Sequence, residues 1–379
     1  MQNKKLTVAV WGTGNVAGIA IRCIQGRDDM ELVGVWAHEE TAGHLIGTDA
    51  GFLDTDIPCG VTITGDEEEV FALKPDCIVC AINIRNPMVS DQINGEWYKK
   101  FLSRGINVVS PSVANLVYPP ACPDQGYVAD IEAAAKQGNA SIYINGQEPG
   151  IAEHLAILLA TCSNTIKTIT TSEMYNYSTV QAREEMSLAF GFDEPTDYVA
   201  ALERPEFQIA CWGVPIRNVA DKLGYGLENI TATFEKRVAD KDIKVGFGVI
   251  KAGKVAAVRL RTCGIVEGRE AIVVEHVNRM DANIAPEWPM TDRAGQIRIV
   301  IEGDPNLQVD FNVGVADKPK ELSYDGYVLT AMRIVNAIPY VCAAPAGIRT
   351  IHDLPMTTPS TAFRSDATFV PHKICKPQE

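Results

Sequence analysis

The sequence predicts an α/β protein of two domains: an amino-terminal doubly wound parallel sheet, followed by an α+β domain with an open mixed sheet. Three observations support this prediction. The apolar run Leu6 to Trp11 leads directly into a glycine-containing turn and a helix-like segment, as a first strand, turn and helix do. Short apolar runs then alternate with helical segments as far as residue 160,. Beyond Asn164 the chain is rich in Thr and alternates apolar with polar residues, which is typical of antiparallel strands.

We expect the first domain to cover residues 1–160 and the second to cover residues 161–321. The segment 322–379 is expected to return to the first domain and complete it. A chain of 379 residues is long enough to bury two hydrophobic cores.

The individual elements follow from periodicity and from helix-ending glycines at 105 and 138. In the first domain, strands are predicted at 6–11, 30–37, 76–82, 106–110 and 140–145, and helices after residue 14 and at 66–73, 92–104, 127–137 and 151–161. In the second domain, strands are predicted at 165–177, 229–237, 244–251, 254–266, 269–279, 295–303 and 308–314. A helix is expected at 181–190, an irregular section from 191 to 228, another helix at 324–338, and a surface tail from Pro355.

Composition limits the class of protein. The net charge of −14 argues against nucleic acid or an anionic membrane surface as a partner. The chain has no apolar run of membrane-spanning length, and its first residues enter the first strand without a signal peptide,. Cys77 and Cys80 have C-x-x-C spacing, but residues three apart in a strand point to opposite faces, so no metal site is expected. We therefore expect a cytoplasmic protein.

The turn after the first strand predicts a dinucleotide site. Its candidate cofactor-binding residues are Gly12, Thr13, Gly14, Asn15 and Val16. Gly12 makes the turn, and Gly14 allows a pyrophosphate to approach the positive end of the following helix. A G-x-G-x-x-A match alone is weak, and its position after a strand at the start of the chain strengthens it.

The second strand is followed by the acidic sequence His38, Glu39 and Glu40, with no Lys or Arg before Lys74. The adenosine ribose normally lies at this position. A carboxylate accepts from the ribose hydroxyls and repels a 2′-phosphate, so NAD(H) is favoured and NADP(H) remains possible. The alternative is that both glutamates are solvated loop charges.

Loops at the carboxyl ends of the other parallel strands supply further candidates, because these ends line the cofactor crevice. The candidate contacts are Ile82, Asn83, Arg85, Asn86, Ser110 and Ser112. Polar residues before proline are also ordinary turn residues. Tyr118 and Glu148 follow two more strand ends and are candidate proton donors. Core packing of Tyr118 and a helix-terminal role for Glu148 are the alternatives.

Several motifs resemble a known group. They are VAVWGTGNVAG, the triplet 49–51, the Leu-Val-Tyr-Pro stretch 116–119, Gly146 with Pro149-Gly150, and the segments 173–178, 190–192 and 330–339. Together they resemble the dihydrodipicolinate reductase superfamily, and within it the branch of 2,4-diaminopentanoate dehydrogenases and native amine dehydrogenases. The resemblance implies a Rossmann domain, hydride transfer and a homodimer formed through the second domain.

The resemblance also adds residues to the candidate site. It implies that Tyr175, a candidate catalytic residue, faces the nicotinamide together with Tyr177, and that Asn336 contacts the cofactor. The alternative for both tyrosines is core packing in the sheet. His154 is another candidate, for which a structural role is the alternative. The chain departs from the group in two places: it lacks a His-His-x-x-Lys segment, and it carries Ala114 and Asn115 where amine-forming members carry a glutamate pair.

We therefore expect an NAD(P)-dependent oxidoreductase that transfers a hydride to a carbonyl, imine or activated alkene. An aromatic wall of Trp212, Phe247, Trp288 and Phe311 would suit a small, largely apolar substrate. The alternatives are an amine dehydrogenase in which Glu148 replaces the missing pair, and a dinucleotide-binding protein without turnover.

Overall fold

The structure is a computed structural model that describes residues 4–82, 84, 87–147, 149–293, 295–313 and 322–359, without the side chains of residues 87, 88, 322 and 323. The chain divides into two compact units. The first runs to Gly150 and resumes at Gly326, and the second runs from Ile151 to Asp325. The first unit ends before residue 160 because the helix Ile151–Ala160 packs in the core of the second unit.

The first unit alternates strands with helices, as its sequence pattern predicts. Its strands are β1 (Leu6–Trp11), β2 (Met30–Trp36), β3 (Ile63–Thr64), β4 (Cys77–Cys80), β5 (Asn107–Ser110) and β6 (Ser141–Ile144). Its helices are α1 (Asn15–Gln25), α2 (Glu39–Ala42), α3 (Glu67–Ala72), α4 (Pro87–Leu102) and α5 (Gln125–Gly138).

The second unit contains a long, twelve-residue first strand and a six-stranded sheet. Its helices are α6 (Ile151–Ala160), α7 (Arg183–Phe190) and α8 (Pro205–Lys222). Its strands are β7 (Thr165–Asn176), β8 (Asn229–Val238), β9 (Ile243–Val245), β10 (Gly248–Ile250), β11 (Val255–Val266), β12 (Arg269–Arg279), β13 (Gly295–Asp304) and β14 (Leu307–Val313). The chain then forms α9 (Leu322–Val335), α10 (Ile338–Ala343) and β15 (Gly347–Arg349).

The first unit is a doubly wound parallel sheet of seven strands, in the order β15-β6-β5-β4-β1-β2-β3. The strand order reverses between β1 and β4, which is where such sheets bind a dinucleotide. One face packs against α1, α9 and α10, and the other packs against α4 and α5. The predicted fold class is confirmed, and the returning segment adds β15 beside β6, a strand that the sequence pattern did not predict.

The returning helices are part of the first core. Over the described residues, Tyr324–Ala343 is long and apolar enough to cross a membrane by length and composition alone. In the structure this stretch is divided between α9 and α10, and Ile334, Val335 and Val341 are buried against the parallel sheet. Their burial accounts for the apolar character of the stretch.

The six-stranded sheet of the second unit has the order β14-β13-β7-β12-β11-β8. Strands β7 and β12 are parallel, and the other neighbours are antiparallel. The sheet is therefore mixed, as predicted. Helices α6 and α8 pack on one of its faces.

Three local predictions are wrong. Helix α8 occupies part of the section predicted to be irregular. Pro205 is tolerated in its first turn,, and burial of Trp212 and Ile216 offsets the cost of Pro215 inside the helix.

The predicted strand 244–251 is instead the hairpin of β9 and β10. The hairpin turns at Gly246, where a Cβ would lie 2.5 Å from the Thr179 carbonyl oxygen. Helix α5 continues through Gly138 and ends at Asn139, which has φ 53°.

Candidate dinucleotide site and active site

The glycine turn after β1 has the geometry of a phosphate cradle. Gly12 has φ 119°, and a Cβ there would lie 2.6 Å from the carbonyl oxygen of Ala81. Gly14 is the last residue before α1, and no described atom lies within 4 Å of its Cβ position. The first backbone N–H groups of α1, which include those of Asn15 and Val16, have no partner within the helix. The residues present therefore fit a pyrophosphate at the positive end of α1.

In a G-x-G-x-x-G/A turn, the third small residue allows the helix to pack closely on its neighbours. Here that position is Ala17, and the close packing occurs at the next residue, Gly18. A Cβ on Gly18 would lie 3.2 Å from Leu53 Cβ and 3.3 Å from Asp54 Cβ, so the 50–53 turn packs tightly on α1. Arg22 of the same helix pairs with Asp54 at 2.8 Å. Asp49 organises this loop: burial opposes its ionisation, but backbone N–H donors of three residues hold the pKa of this carboxyl below its ordinary value.

The end of β2 is acidic and open. Glu39 and Glu40 form the first turn of α2, and His38 caps that helix. All three side chains are exposed. The ring of Trp36 contacts His38 edge-on at 5.8 Å. This position can take a ribose diol, and its two exposed carboxylates disfavour a 2′-phosphate,.

The residues predicted to contact the cofactor at the ends of β4 and β5 differ in their exposure and in the hydrogen bonds they already make. Asn83, Arg85 and Asn86 lie outside the described residues, and Ile82 is half-buried. Ser110 is fully buried and its hydroxyl lies 2.7 Å from the Tyr98 hydroxyl. The Ser110 Oγ also accepts from the Ser112 backbone N–H at 3.1 Å, and Tyr98 donates to the Ser112 carbonyl. The Ser110 hydroxyl is therefore hydrogen-bonded within the fold, and its predicted contact with the cofactor stays a prediction.

Ala114 and Asn115, which stand where amine-forming relatives are expected to carry a glutamate pair, lie in the turn that follows β5. Ala114 and Asn115 begin a short 3₁₀ helix that follows Val113, whose φ of 70° is unusual for a β-branched residue. Asn115 Nδ2 donates to Asp91 Oδ2 of α4 at 2.9 Å. A carboxylate therefore remains beside this turn, on a helix that the motif comparison did not include.

Of the two candidate proton donors, the structure describes Tyr118 but not Glu148. Tyr118 is half-buried, and its ring meets the ring of His352 edge-on at 6.1 Å. His352 follows β15, so Tyr118 lies toward the β6–β15 side of the carboxyl edge. Glu148 lies outside the described residues.

Asn336 lies at the opposite edge of the sheet from Gly12. Its Oδ1 accepts from Arg27 Nη1 at 2.9 Å. Arg27 follows α1 and pairs with Asp29 at 2.7 Å, and the Asp29 carbonyl accepts from the backbone N–H of Leu6, the first residue of β1. Asn336 therefore lies beside the start of β1, at the amino edge of the strands, and its predicted contact with the cofactor stays a prediction.

In the second unit, Tyr175 is buried on β7 and its ring lies 6.1 Å from that of Tyr177. His154 is half-buried on α6. The predicted aromatic wall does not form. Trp212 and Phe311 belong to the cluster under α6 and α8, whereas Phe247 and Trp288 belong to two other clusters.

A buried ionisable pair in the second unit escaped sequence reasoning. His276 Nδ1 lies 3.5 Å from Glu173 Oε1 on the neighbouring parallel strand, and the Trp212 ring packs on His276 at 4.6 Å. Buried ionisable pairs concentrate at functional sites, so we add this pair to the candidate residues. In the sequence, both residues fall inside strand patterns and carry no signal of their pairing.

The thiols and carboxylates suggest no metal centre. The nine cysteines of the described residues are free, and no group of three His, Cys, Asp or Glu side chains among those residues could hold a metal ion. Cys77 and Cys80 lie in the clusters on opposite faces of the parallel sheet, as their spacing predicts. Burial raises the pKa of Cys80 to about 12, so this thiol is not a nucleophile at neutral pH.

Comparisons with known proteins agree with this geometry. The model of the 2,4-diaminopentanoate dehydrogenase C-terminal domain matches residues 151–368. An amine dehydrogenase of Streptomyces virginiae is 31% identical over 356 residues, which are 93% of this chain and 96% of that protein. A 2,4-diaminopentanoate dehydrogenase of Acetoanaerobium sticklandii is 26% identical over 361 residues, 93% of this chain and 94% of that protein. The solved amine dehydrogenase of Mycobacterium smegmatis has the same fold, with a TM-score of 0.71 at 21% identity over 95% of this chain and 98% of that one.

Proposed function

The chain belongs to the family of 2,4-diaminopentanoate dehydrogenases and amine dehydrogenases, and we propose that it interconverts an amine with the corresponding ketone and ammonia. It is a dinucleotide-dependent oxidoreductase, and the resemblance inferred from its motifs is confirmed. In the direction of amine formation, the ketone, ammonia, reduced dinucleotide and a proton give the amine, oxidised dinucleotide and water. The nicotinamide supplies or accepts the hydride.

The observation that carries this proposal is the end-to-end similarity to an amine dehydrogenase, together with an intact glycine turn. The 31% identity extends over 96% of that relative, so it includes both units. The first unit keeps the steric requirements of the pyrophosphate cradle at Gly12 and Gly14. Hydride transfer needs the protein mainly to position the two reactants and to move a proton on the heteroatom.

We assign the proton transfer to Tyr118, with Glu148 as the alternative. Tyr118 lies at the carboxyl edge of the parallel sheet, where reactants bind in this class of fold. A phenol stays protonated at neutral pH and can give its proton to a heteroatom. Asp91, whose Oδ2 accepts from Asn115 Nδ2 at 2.9 Å, is the candidate partner for ammonium beside this turn.

The proposed substrate is small and largely apolar. We also propose a cytoplasmic homodimer. Light scattering of the purified protein measures the oligomeric state directly.

A second candidate is the reduction of a carbonyl or activated alkene without ammonia. The observation that favours it is the pair Ala114 and Asn115, since neither side chain can take a proton from ammonia or water. The two candidates differ in their need for ammonium.

The experiment that separates them follows NADH oxidation with a panel of ketones, with and without excess ammonium. We expect turnover to require ammonium and the product to be an amine. Equal turnover without ammonium, with an alcohol or a saturated ketone as product, would favour the second candidate.

The cofactor proposed is NAD(H) rather than NADP(H). Glu39 and Glu40 are exposed at the position of the adenosine ribose, and like charges there repel a 2′-phosphate. We expect NADH to bind at least ~10-fold more tightly than NADPH, a difference of about 1.4 kcal/mol. Titration calorimetry of both cofactors measures this, with ADP-ribose as the control that lacks the nicotinamide. Tighter binding of NADPH would refute the preference and leave the enzyme class unchanged.

A further inference from the structure

A cavity of about 300 Å³ opens at one end of the second unit. It is lined by Ala160, the last residue of α6, and by Leu223, which follows α8 directly. The first residues of β7 and β12, Thr165 and Arg269, line it from the sheet. Both helices therefore end where these strands begin, and the space between the helix ends and the sheet remains open.

The walls of this cavity are mainly apolar. Ile169 and Ile272 are register partners on β7 and β12, and both are buried, as is Val266 at the end of β11. Ile166 and Leu223 are half-buried and pack against the same core. A ligand with an apolar body therefore loses apolar surface to these walls, which is the main favourable term in binding to a preformed pocket.

Two cations line the polar side of the cavity, and none of the described residues that line it is acidic. The cations are Lys167 of β7 and Arg269 of β12. The parallel register pairs Ile272 with Ile169, so Arg269 lies beside Ile166 and close to Lys167. In a chain with a net charge of −14, this cavity is a local site of positive charge.

The existing partners of the two cations lie outside the cavity. Lys167 pairs with Glu302 at 3.6 Å, and Arg269 pairs with Glu267 at 3.2 Å, and neither glutamate lines the cavity. All four side chains are about half exposed or more. Exposed ion pairs of this kind contribute little stability, so a carboxylate inside the cavity can compete for both cations.

Ser163 adds a hydrogen-bond donor to the same lining. Its Oγ is buried and has no partner among the described residues, and a hydroxyl can donate to a carboxylate. The carbonyls at the two helix ends are already bonded: Ala160 accepts from the Ser163 backbone N–H at 3.1 Å, and Ala220 accepts from that of Tyr225 at 2.9 Å. The polar side of the cavity therefore offers donors and positive charge.

We propose that this cavity binds a small monocarboxylate with an apolar body, such as an arylalkanoate or a branched short-chain fatty acid. The apolar body lies between the helix ends and the sheet. The carboxylate lies between Lys167 and Arg269 and accepts from Ser163. The cavity shares no residue with the dinucleotide site, so the inference goes beyond the proposed function and does not depend on it.

The test uses three probes on the full chain without cofactor, followed by calorimetry and thermal unfolding. The probe 3-phenylpropionate has both the apolar body and the carboxylate, and we expect a Kd on the order of 1 mM or tighter and a raised melting temperature. The alcohol 3-phenylpropanol lacks the charge and should bind at least ~10-fold more weakly. Acetate lacks the apolar body and should show no measurable binding.

Lys167→Gln tests the charge, and Lys251→Gln is its matched control. Both lysines belong to the second unit, are 65% and 68% exposed, and pair with one carboxylate each, but Lys251 does not line the cavity. We expect Lys167→Gln to raise the Kd of 3-phenylpropionate about 3- to 5-fold, and the double variant with Arg269→Gln about 10-fold. Lys251→Gln should leave this Kd within about twofold of wild type.

Ala271→Phe tests the location, because Ala271 lines the cavity and a phenylalanine ring fills it. This variant should bind neither aryl probe and should unfold at or above the melting temperature of wild type. If it does not fold, Ala160→Leu replaces it and fills the cavity from the end of α6.

Three results would overturn the proposal. Equal affinity for 3-phenylpropionate and 3-phenylpropanol would remove the carboxylate from the recognised group. Full binding in a folded Ala271→Phe or Ala160→Leu variant would place the ligand elsewhere. Displacement of 3-phenylpropionate by NADH would place it at the dinucleotide site. No arm of the experiment measures turnover, so a failure of the proposed function is seen separately.

Discussion

Gly12→Ala is expected to abolish dinucleotide binding and to lower the melting temperature. The residue has φ 119° and its Cβ would lie 2.6 Å from the Ala81 carbonyl oxygen. An alanine must therefore leave the left-handed region and move the end of β4, at a cost of about 1–3 kcal/mol or more. We expect the Kd for NADH to rise more than ~100-fold, measured by calorimetry beside a thermal unfolding scan.

Gly14→Ala separates binding from folding at the same turn. Gly14 has φ −77° and ψ −176°, which any residue adopts, and no described atom is within 4 Å of its Cβ position. Its melting temperature should match that of wild type. A methyl group would occupy the space through which the pyrophosphate reaches α1, so affinity for NADH should fall at least ~10-fold. Unchanged affinity in Gly14→Ala would contradict the cradle.

Tyr118→Phe is expected to lower kcat by about 10² to 10⁴, the usual contribution of a general acid. The ring packs edge-on against His352, and a phenylalanine keeps that contact. Stability and affinity for NADH should therefore hardly change, and the loss reports the hydroxyl alone. The measurement compares kcat and KM for the ketone, with a thermal unfolding scan as the control for folding.

Glu148→Gln is the companion variant. If Tyr118 is the donor, this substitution should affect turnover only mildly, because Glu148 then transfers no proton to the substrate. Full turnover in Tyr118→Phe together with a large loss in Glu148→Gln would exchange the two assignments. The pH profile of kcat would then follow ionisation of the Glu148 carboxylate and would change in Glu148→Gln.

The parallel sheet could be predicted because each of its predicted strands is marked by neighbouring residues in the sequence, such as an apolar run followed by a turn. Strand β1 has the predicted bounds, Leu6–Trp11, since a continuous apolar run that ends at a glycine turn has few other readings. Helix α8 could not be predicted in the same way. Its sequence includes Gly213 and Pro215, both unfavourable inside a helix, and only the burial of its apolar face against β11 and β12 compensates for them.

The sequence predicts at which edge of the parallel sheet the candidate site lies, but it does not predict the hydrogen-bond partners of the individual side chains. The rule that ligands bind at the carboxyl ends of parallel strands predicted the glycine turn and Tyr118 as candidates. It does not say which side chains are already hydrogen-bonded within the fold, as the hydroxyl of Ser110 is. Asn336 was placed by a motif whose helix ends at the other edge of the sheet.

The most direct test of the central claim is transfer of deuterium from NADH labelled at C4 of the nicotinamide, in each of its two configurations, to a ketone in the presence of ammonium. Mass spectrometry of the product locates the label. We predict an amine that carries one deuterium on the carbon bonded to nitrogen, and from only one of the two labelled cofactors, because the fold presents one face of the ring. Oxidation of the cofactor with no deuterium in the organic product, or a deuterated alcohol formed despite ammonium, would contradict the proposed function.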